Sequence, residues 1–546
     1  MGTQTAAAGA ATPGAATDGY LTGFGSPTYR SYVLNALLII YILSFMDRAL
    51  LSVVARPLKA EIAISDLAFG LLTGAGFAVF YTIVGIPLAR MSERKNRVWI
   101  IGISLAIWSA FTALTGFSAD VVIGGTVIMT GFMALLICRI GVGIGEAGCT
   151  PPANSLIADY YPAAKRSSAL GYYAMGVTLG TMLANIIGGQ ITDMWGWRWA
   201  FIVMGVPGIV IAIIFVLTIK EPPRGYSETP DVKKSKRAEL WPSVREMFSK
   251  PSFWTMTAGA TMAAFCGYAI AGFQSLYIQR TFGLSAGEAS LWVNAPAYAA
   301  GALGTVITGW LAMKMRAKSI TAIAWISALG LLISVPFYVW GFTSTSVLIC
   351  AIGLSLGHFV KYGYLAAQYT ISQGVVSPSV RATSTAVMLF IINILGYGLG
   401  PPFAGLLSDF VFGQLATAQG FVGFTNAGCD AAAEAIRTAG GATANVAEVL
   451  AGMARPITEA QYAFCGPANS QATQYSMLAI SGLYAISALC FFLCMFTLKK
   501  DMIIVPREYQ NSAPMSLRIM LLALGLAGVG IAMYYGAAAM GQMWFL

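Results

Sequence analysis

Long apolar runs separated by short polar turns recur along almost all of the 546 residues. A helix that crosses a bilayer needs about 20 apolar residues. On that criterion the chain predicts helices over roughly 32–55, 67–89, 98–118, 122–149, 168–191 and 199–219, then 252–278, 289–313, 319–341, 345–373, 382–411 and 475–498. One more apolar stretch, about 516–541, closes the chain. The pattern predicts an all-α polytopic membrane protein of six plus six transmembrane helices and one extra C-terminal helix. A transmembrane barrel would instead alternate apolar and polar residues over segments of about ten. The expected organisation is a disordered tail (1–28), a first six-helix half (29–220), a linker (221–250), a second half (251–500, with an outer loop 412–474) and the extra helix (501–546).

Composition agrees, with 57% hydrophobic and only 10% charged residues, where a soluble domain carries roughly 25% charged residues. The net charge of +10 does not argue for nucleic acid, because the basic residues follow topology. Arg90, Arg94, Lys95 and Arg97, Lys165 and Arg166, the linker cluster, Lys314, Arg316 and Lys318, Arg381, and Lys499 and Lys500 fall on one side. The other side holds only Arg56, Lys59, Arg198, Arg280, Arg437 and Arg455. The positive-inside rule then predicts a cytoplasmic N-terminus, in the plasma (inner) membrane. Residues 1–28 are rich in Ala, Gly and Thr and lack the basic start and apolar run of a signal peptide.

The halves look like weak parallel repeats. Helix 5 ends Gly188-Gly189-Gln190-Ile191-Thr192-Asp193, and helix 11 ends Ala404-Gly405-Leu406-Leu407-Ser408-Asp409. Two related six-helix halves with a midplane site between them form a transporter architecture.

Asp47, Arg48, Arg139 and Glu146 lie inside otherwise lipid-soluble stretches. A charge at the bilayer centre costs from about 2.5 to above 10 kcal/mol, so such groups pair or line a wet cavity. Arg139 and Glu146 are seven residues apart and share a helix face, about 10 Å apart along the axis. Asp47 and Arg48 point about 100° apart, so one faces the cavity and the other a neighbouring helix. A carboxylate balanced between burial and a nearby arginine is able to change protonation as access alternates. A fixed ion-pair network that only orients helices is the competing reading.

Lys361 and His358 sit mid-helix in the second half. Lys361 either contacts an anionic substrate or neutralises Asp47 or Glu146, and His358 is either a proton relay or a packing residue. Tyr362, Gln274, Tyr277 and Asn393 are candidates for lining the path. Cys429 and Cys465 share a polar outer loop, where a disulfide would contribute roughly 3–4 kcal/mol. No zinc-type Cys/His spacing and no phosphate loop occur, so no metal or cofactor is expected and an ATP-driven pump is disfavoured. Gly353-Leu354-Ser355-Leu356-Gly357 matches a hydrolase elbow, but that elbow needs a strand-to-helix turn and here falls in an apolar helix. The chain is therefore not expected to be an enzyme.

The turn Ala89-Arg90-Met91-Ser92-Glu93-Arg94-Lys95-Asn96-Arg97 resembles the signature loop of the major facilitator superfamily, with Glu93 where that family has Asp. Arg139-Ile140-Gly141-Val142-Gly143-Ile144-Gly145 and Trp197-Arg198-Trp199-Ala200-Phe201 are similar to its fourth and sixth helices. Asp47-Arg48, Gly145-Glu146-Ala147, and Asp159-Tyr160-Tyr161-Pro162 with Arg166 resemble the Spinster-like branch most. The resemblance implies that Asp47 and Glu146 act in proton coupling, with Arg48 and Arg139 as partners or substrate contacts. It implies that Glu93, Arg94 and Arg97 gate the cytoplasmic end, with Asp159 and Arg166 as candidates for the same latch. It points to a lysophospholipid or sphingolipid-phosphate-like solute. The expected partners are that solute, protons and membrane lipids, with no nucleic acid, and the chain is expected to be a monomer. An organic acid or drug substrate, and a scramblase or uniporter without proton coupling, remain alternatives.

Overall fold

The computed structural model describes residues 22–123, 126–227, 240–316, 319–377, 380–439, 445–453 and 456–503. The extra helix expected at 516–541 and most of the tail lie outside them.

Among the described residues, eleven helices are long and apolar enough to cross a membrane. They are spans 1 to 7 (Pro27–Val53, Asp66–Ser92, Arg97–Thr115, Gly131–Tyr160, Ser168–Trp195, Trp197–Thr218, Pro251–Phe282) and spans 9 to 12 (Ala322–Thr343, Val347–Gly374, Thr383–Ala418, Glu459–Asp501). Span 8 is the helical path 286–316. The apolar runs drive these helices, because backbone groups in lipid must bond within their own segment. Outward faces carry large apolar side chains such as Ile83, Ile103, Leu217 and Phe496.

Two stretches depart from the hydropathy reading. Residues 121–129 begin no helix but form an antiparallel hairpin, Val121–Ile123 paired with Thr126–Met129. Their β-branched side chains favour extended backbone, and Thr130 then caps span 4 through the Met133 N–H at 3.3 Å. The expected outer loop 412–474 is largely helical. Span 11 runs on to Ala418, Ala427–Thr438 and Val446–Ala451 are short helices, and span 12 starts at Glu459. These turns are too polar to register as spanning, yet Thr458 and Gln461 close a capping box at the true start of span 12. Call this region the cap.

Four of the spans that meet across the halves are irregular. Span 2 breaks at Gly74, and spans 5, 8 and 11 contain π-helical turns at Ala184–Gly188, Ser290–Asn294 and Ile392–Tyr397. Spans 4 and 10 each break just after an ionisable residue, Glu146 and Lys361. Pro151 and Pro152 restart span 4, where proline is tolerated in a first helical turn.

Candidate functional site

Span 1 presents Asp47 and Arg48 about 100° apart around its axis, and span 4 answers each. Asp47 Oδ2 accepts from Arg139 Nη1 at 3.2 Å, and its Oδ1 accepts from the Thr112 hydroxyl at 2.7 Å. Arg48 donates through Nε to Glu146 Oε2 at 2.7 Å, with Nη2 also 2.7 Å away, and the Ser44 hydroxyl donates to the same oxygen at 2.6 Å. Two acids and two bases thus form a neutral quartet that joins spans 1 and 4. Its packing needs glycine, since a Cβ on Gly145 would lie 2.7 Å from the Trp108 nitrogen.

Burial within the quartet is uneven. Glu146 and Arg139 are 1% and 3% exposed, whereas the Arg48 side chain is 12% exposed. Glu146 Oε1 and Arg139 Nη2 have no hydrogen-bond partner among the described residues. Leaving a buried polar atom unmatched costs about 1–3 kcal/mol, more for charged groups, so these atoms mark where the network is poised rather than sealed. The Arg48 guanidinium lies 4.6–4.8 Å from the ring centres of Phe45, Phe77 and Tyr81. Phe77 also faces Arg139 at 5.4 Å, so one ring touches both ion pairs. It continues into Tyr397 of the second half at 5.5 Å, and Tyr397 stacks on Tyr268 at 4.1 Å. The sequence reading missed these aromatic residues, because an aromatic in an apolar run carries no signal of its own.

Lys361 does not reach the quartet. It is buried within the second half, with Nζ 4.8–5.9 Å from the ring centres of Tyr338, Tyr362 and Tyr484. The alternative expectation, that it neutralises Asp47 or Glu146, is therefore not met in this conformation: both acids already hold arginines. His358 Nε2 is 3.0 Å from Gln274 Oε1, and Gln274 donates on to Asn294 Oδ1 at 2.9 Å. Tyr277 is a packing residue rather than a path-lining one. It is fully buried, donates to the Phe342 carbonyl at 2.6 Å and meets the Phe342 ring edge-on. Asn393 lies half-buried in the π-helical turn of span 11.

The hydrogen bonds and ion pairs that join the halves cluster at the end bearing the cap. Four charges close a ring there. Lys59 is 2.9 Å from Asp66, Asp66 is 2.8 Å from Arg280, Arg280 is 2.6 Å from Asp430, and Asp430 is 3.7 Å from Lys59. Lys59 and Asp66 belong to the first half, Arg280 and Asp430 to the second. Asp409 accepts from the N–H groups of Asp66 and Leu67 at 3.0 and 2.8 Å, capping span 2 from across the interface. Asp193 does the same for span 8, accepting from the Ser285 hydroxyl at 2.6 Å and the Gly287 N–H at 2.9 Å. The two aspartates are the residues at the repeat-related ends expected for helices 5 and 11, although span 11 runs on past Asp409 to Ala418. Sequence reasoning placed them at the outer edge but assigned them no role. The ring residues were missed, because they are scattered over hundreds of positions in polar flanks.

At the opposite end, residues expected to clamp the halves brace one half internally. Arg97 is buried and bonds Asp159 at 2.6 Å, Glu221 at 2.6 Å and Ser155 at 2.8 Å. Arg166 donates to the Ala158 carbonyl at 2.9 Å and the Ser227 carbonyl at 3.4 Å. Glu93 and Arg94 sit on the exposed turn after span 2. Among the described residues the bonds of Arg97 and Arg166 run within the first half and the start of the linker, while the ion pairs that join the halves lie at the cap end. Cys429 and Cys465 form a disulfide in the cap.

A family model described as the Major Facilitator Superfamily matches residues 37–401. An "MFS-type efflux pump" of Mycolicibacterium smegmatis is 31% identical over 369 residues, covering 67% of this chain and 82% of the relative. Protein spinster homolog 1 of Homo sapiens is 27% identical over 406 residues, 71% of this chain and 75% of that protein. The crystal structure of a bacterial homolog to the human lysosomal transporter Spinster, in an inward-facing and unoccupied conformation, superimposes with a TM-score of 0.75. It is 37% identical and covers 88% of this chain and 100% of its own.

Proposed function

The chain belongs to the major facilitator superfamily, in its Spinster-like branch, and from that premise we propose that it moves a small amphipathic, anionic lipid-like solute by proton-coupled alternating access. The observation that carries the reading is the unequal pair Arg48–Glu146. Glu146 is buried with one oxygen unmatched, and it holds the quartet's most exposed cation. A proton arriving at Glu146 removes the charge that holds Arg48. The guanidinium is then released toward an acidic head group, with Phe45, Phe77 and Tyr81 offering faces to the adjoining apolar part. Asp47 keeps Arg139 fixed beside it and supplies a second proton-accepting position. Substrate and carboxylate thus compete for one arginine, and proton and anion binding are linked.

The halves rock about this site. Ties at the cap end support a resting state open at the other end. The Lys and Arg distribution supports placing that open end in the cytoplasm, in a plasma (inner) membrane.

The test is uptake into proteoliposomes under an imposed proton gradient, with a panel of lysolipids and organic anions. Wild type is expected to concentrate a lysolipid with an acidic head group. Glu146→Gln and Asp47→Asn are expected to lose gradient-driven accumulation by about two orders of magnitude or more. Transport indifferent to the gradient and to both substitutions would instead establish a scramblase or uniporter. An organic acid or drug is the second reading, favoured by the relative named as an efflux pump; accumulation of such compounds in preference to lysolipids would establish it.

A further inference from the structure

The cap is more than a cover. Its helix Ala427–Thr438 belongs to the second half yet packs on Ala55–Ile62 of the first. The five residues 426–430 hold both interlobe devices at the span 2–span 11 corner. Asn426 Nδ2 donates to Asp409 Oδ1 at 2.7 Å, steadying the carboxylate that caps span 2. Asp430 takes Arg280 on two oxygens, at 2.6 and 3.4 Å, and reaches Lys59 across the interface. Between them, Cys429 donates its N–H to the Asn426 carbonyl at 3.1 Å and bonds Cys465, 36 residues on, in the first turns of span 12. Span 12 itself supports the ring, since Thr473 accepts from Arg280 at 2.9 Å. The disulfide therefore anchors residues 426–430 to the same helix that backs the ring. Opening this end must break two of the ring's four edges, Asp66–Arg280 and Asp430–Lys59; the second contains Asp430, and the first depends on it through Arg280, which Asp430 also holds.

We propose that the Cys429–Cys465 disulfide sets the resting balance between the two access states, by holding Asp430 and Asn426 in the position that keeps the cap end shut. The inference rests on the rocking of two halves described above, but not on the substrate. Cleaving the bond with a dithiol consumes two electrons and two protons. It leaves two cysteine thiols, and the dithiol is oxidised to its cyclic disulfide. Residues 426–430 are then tethered only through the chain, and the population shifts toward the state open at the cap end. Asp430 and Asn426 are positioning residues, because they act through Arg280, Lys59 and Asp409.

Hydrogen–deuterium exchange of the full chain in lipid nanodiscs tests this. Four forms are compared with the oxidised protein: dithiothreitol-treated and alkylated protein, the C429S/C465S double variant, Asp430→Asn, and Arg280→Gln as a reference that breaks the ring directly. In all four, exchange is expected to rise about fivefold or more at residues 55–73 and to fall by a similar factor at residues 88–97 and 371–377. The fall at the far end is the sign that a merely structural cap would not give. The treated wild type and Asp430→Asn keep the test open if the double variant fails to fold. Faster exchange confined to 427–465 overturns the proposal and leaves alternating access standing, provided Arg280→Gln shows the reciprocal change. If Arg280→Gln shows none, the ring does not hold this end shut, and the proposal is overturned with it.

Discussion

The cap end is closed at two corners that share one backbone device and differ in everything added to it. At each corner an aspartate four residues after a glycine of one span caps the start of a span in the other half: Gly189 and Asp193 on span 8, Gly405 and Asp409 on span 2. Each glycine lets backbones touch. A Cβ on Gly189 would lie 3.0 Å from the Ala286 carbonyl oxygen, and one on Gly405 would clash with the Asp66 carbonyl. A carboxylate at a helix N-terminus is worth about 0.3–1 kcal/mol, up to about 2 when partly buried, and it lets go without leaving a strained partner. The span 5–span 8 corner has little beyond that. The span 2–span 11 corner adds the buried ring of Lys59, Asp66, Arg280 and Asp430 and the disulfide-tied cap over it. The repeat supplies the hinge contact, and the second corner supplies the lock. The end should therefore open unevenly, with the span 2–span 11 corner setting the threshold.

The largest effect should come from Arg280→Ala. It leaves Asp66 and Asp430 buried with Lys59 alone to share, and breaking a buried pair costs up to about 3–5 kcal/mol. Because the loss falls on the closed state, spin labels at positions 122 and 422, exposed at this end on either half, should show a longer distance as the major population. A distribution unchanged from wild type would mean that the ring does not hold the halves together.

Gly405→Val should act at the same corner without touching a charge. Its side chain meets the Asp66 backbone rather than a movable tip, and Gly70 faces the Pro401 backbone just as closely. Overpacking of this kind costs about 1–3 kcal/mol. The same long distance should appear as a smaller fraction, and raising the salt should leave it unchanged, since no exposed charge has been altered. A strongly salt-dependent response would assign closure to electrostatics alone.

How much of this was legible in the sequence follows from what each signal averages over. The spans show because some twenty apolar residues in a row are a strong, local pattern. Asp47, Arg48, Arg139 and Glu146 show because a charge inside such a run is conspicuous. Which acid meets which base does not show, because it depends on helix rotation. Lys361 looked equivalent to the arginines in sequence but lies among tyrosines of the second half. The ring was invisible, since Lys59, Asp66, Arg280 and Asp430 each sit in an ordinary polar flank where a charge needs no explanation. The cap helices were hidden for the opposite reason, being too polar for a window tuned to lipid. The match between 188–193 and 404–409 did point at the interface, though it could not say that each aspartate caps a helix of the other half.

Asp193→Ala sharpens the comparison from its weak side. The substitution removes the cross-interface cap of span 8, but Ser285 and Glu288 still satisfy the first turn through their own capping box. Loss of a cap costs about 0.5–2 kcal/mol, and here part of it is retained, so the change belongs at the low end. The 122–422 distance, which reports across the cap end, should gain only a minor long component, while exchange at residues 285–289 should quicken because that corner alone has loosened. If Asp193→Ala opened the end as fully as Arg280→Ala, the two corners would be equal partners. The ring and its cap would then add rigidity to one of them without setting the threshold for both.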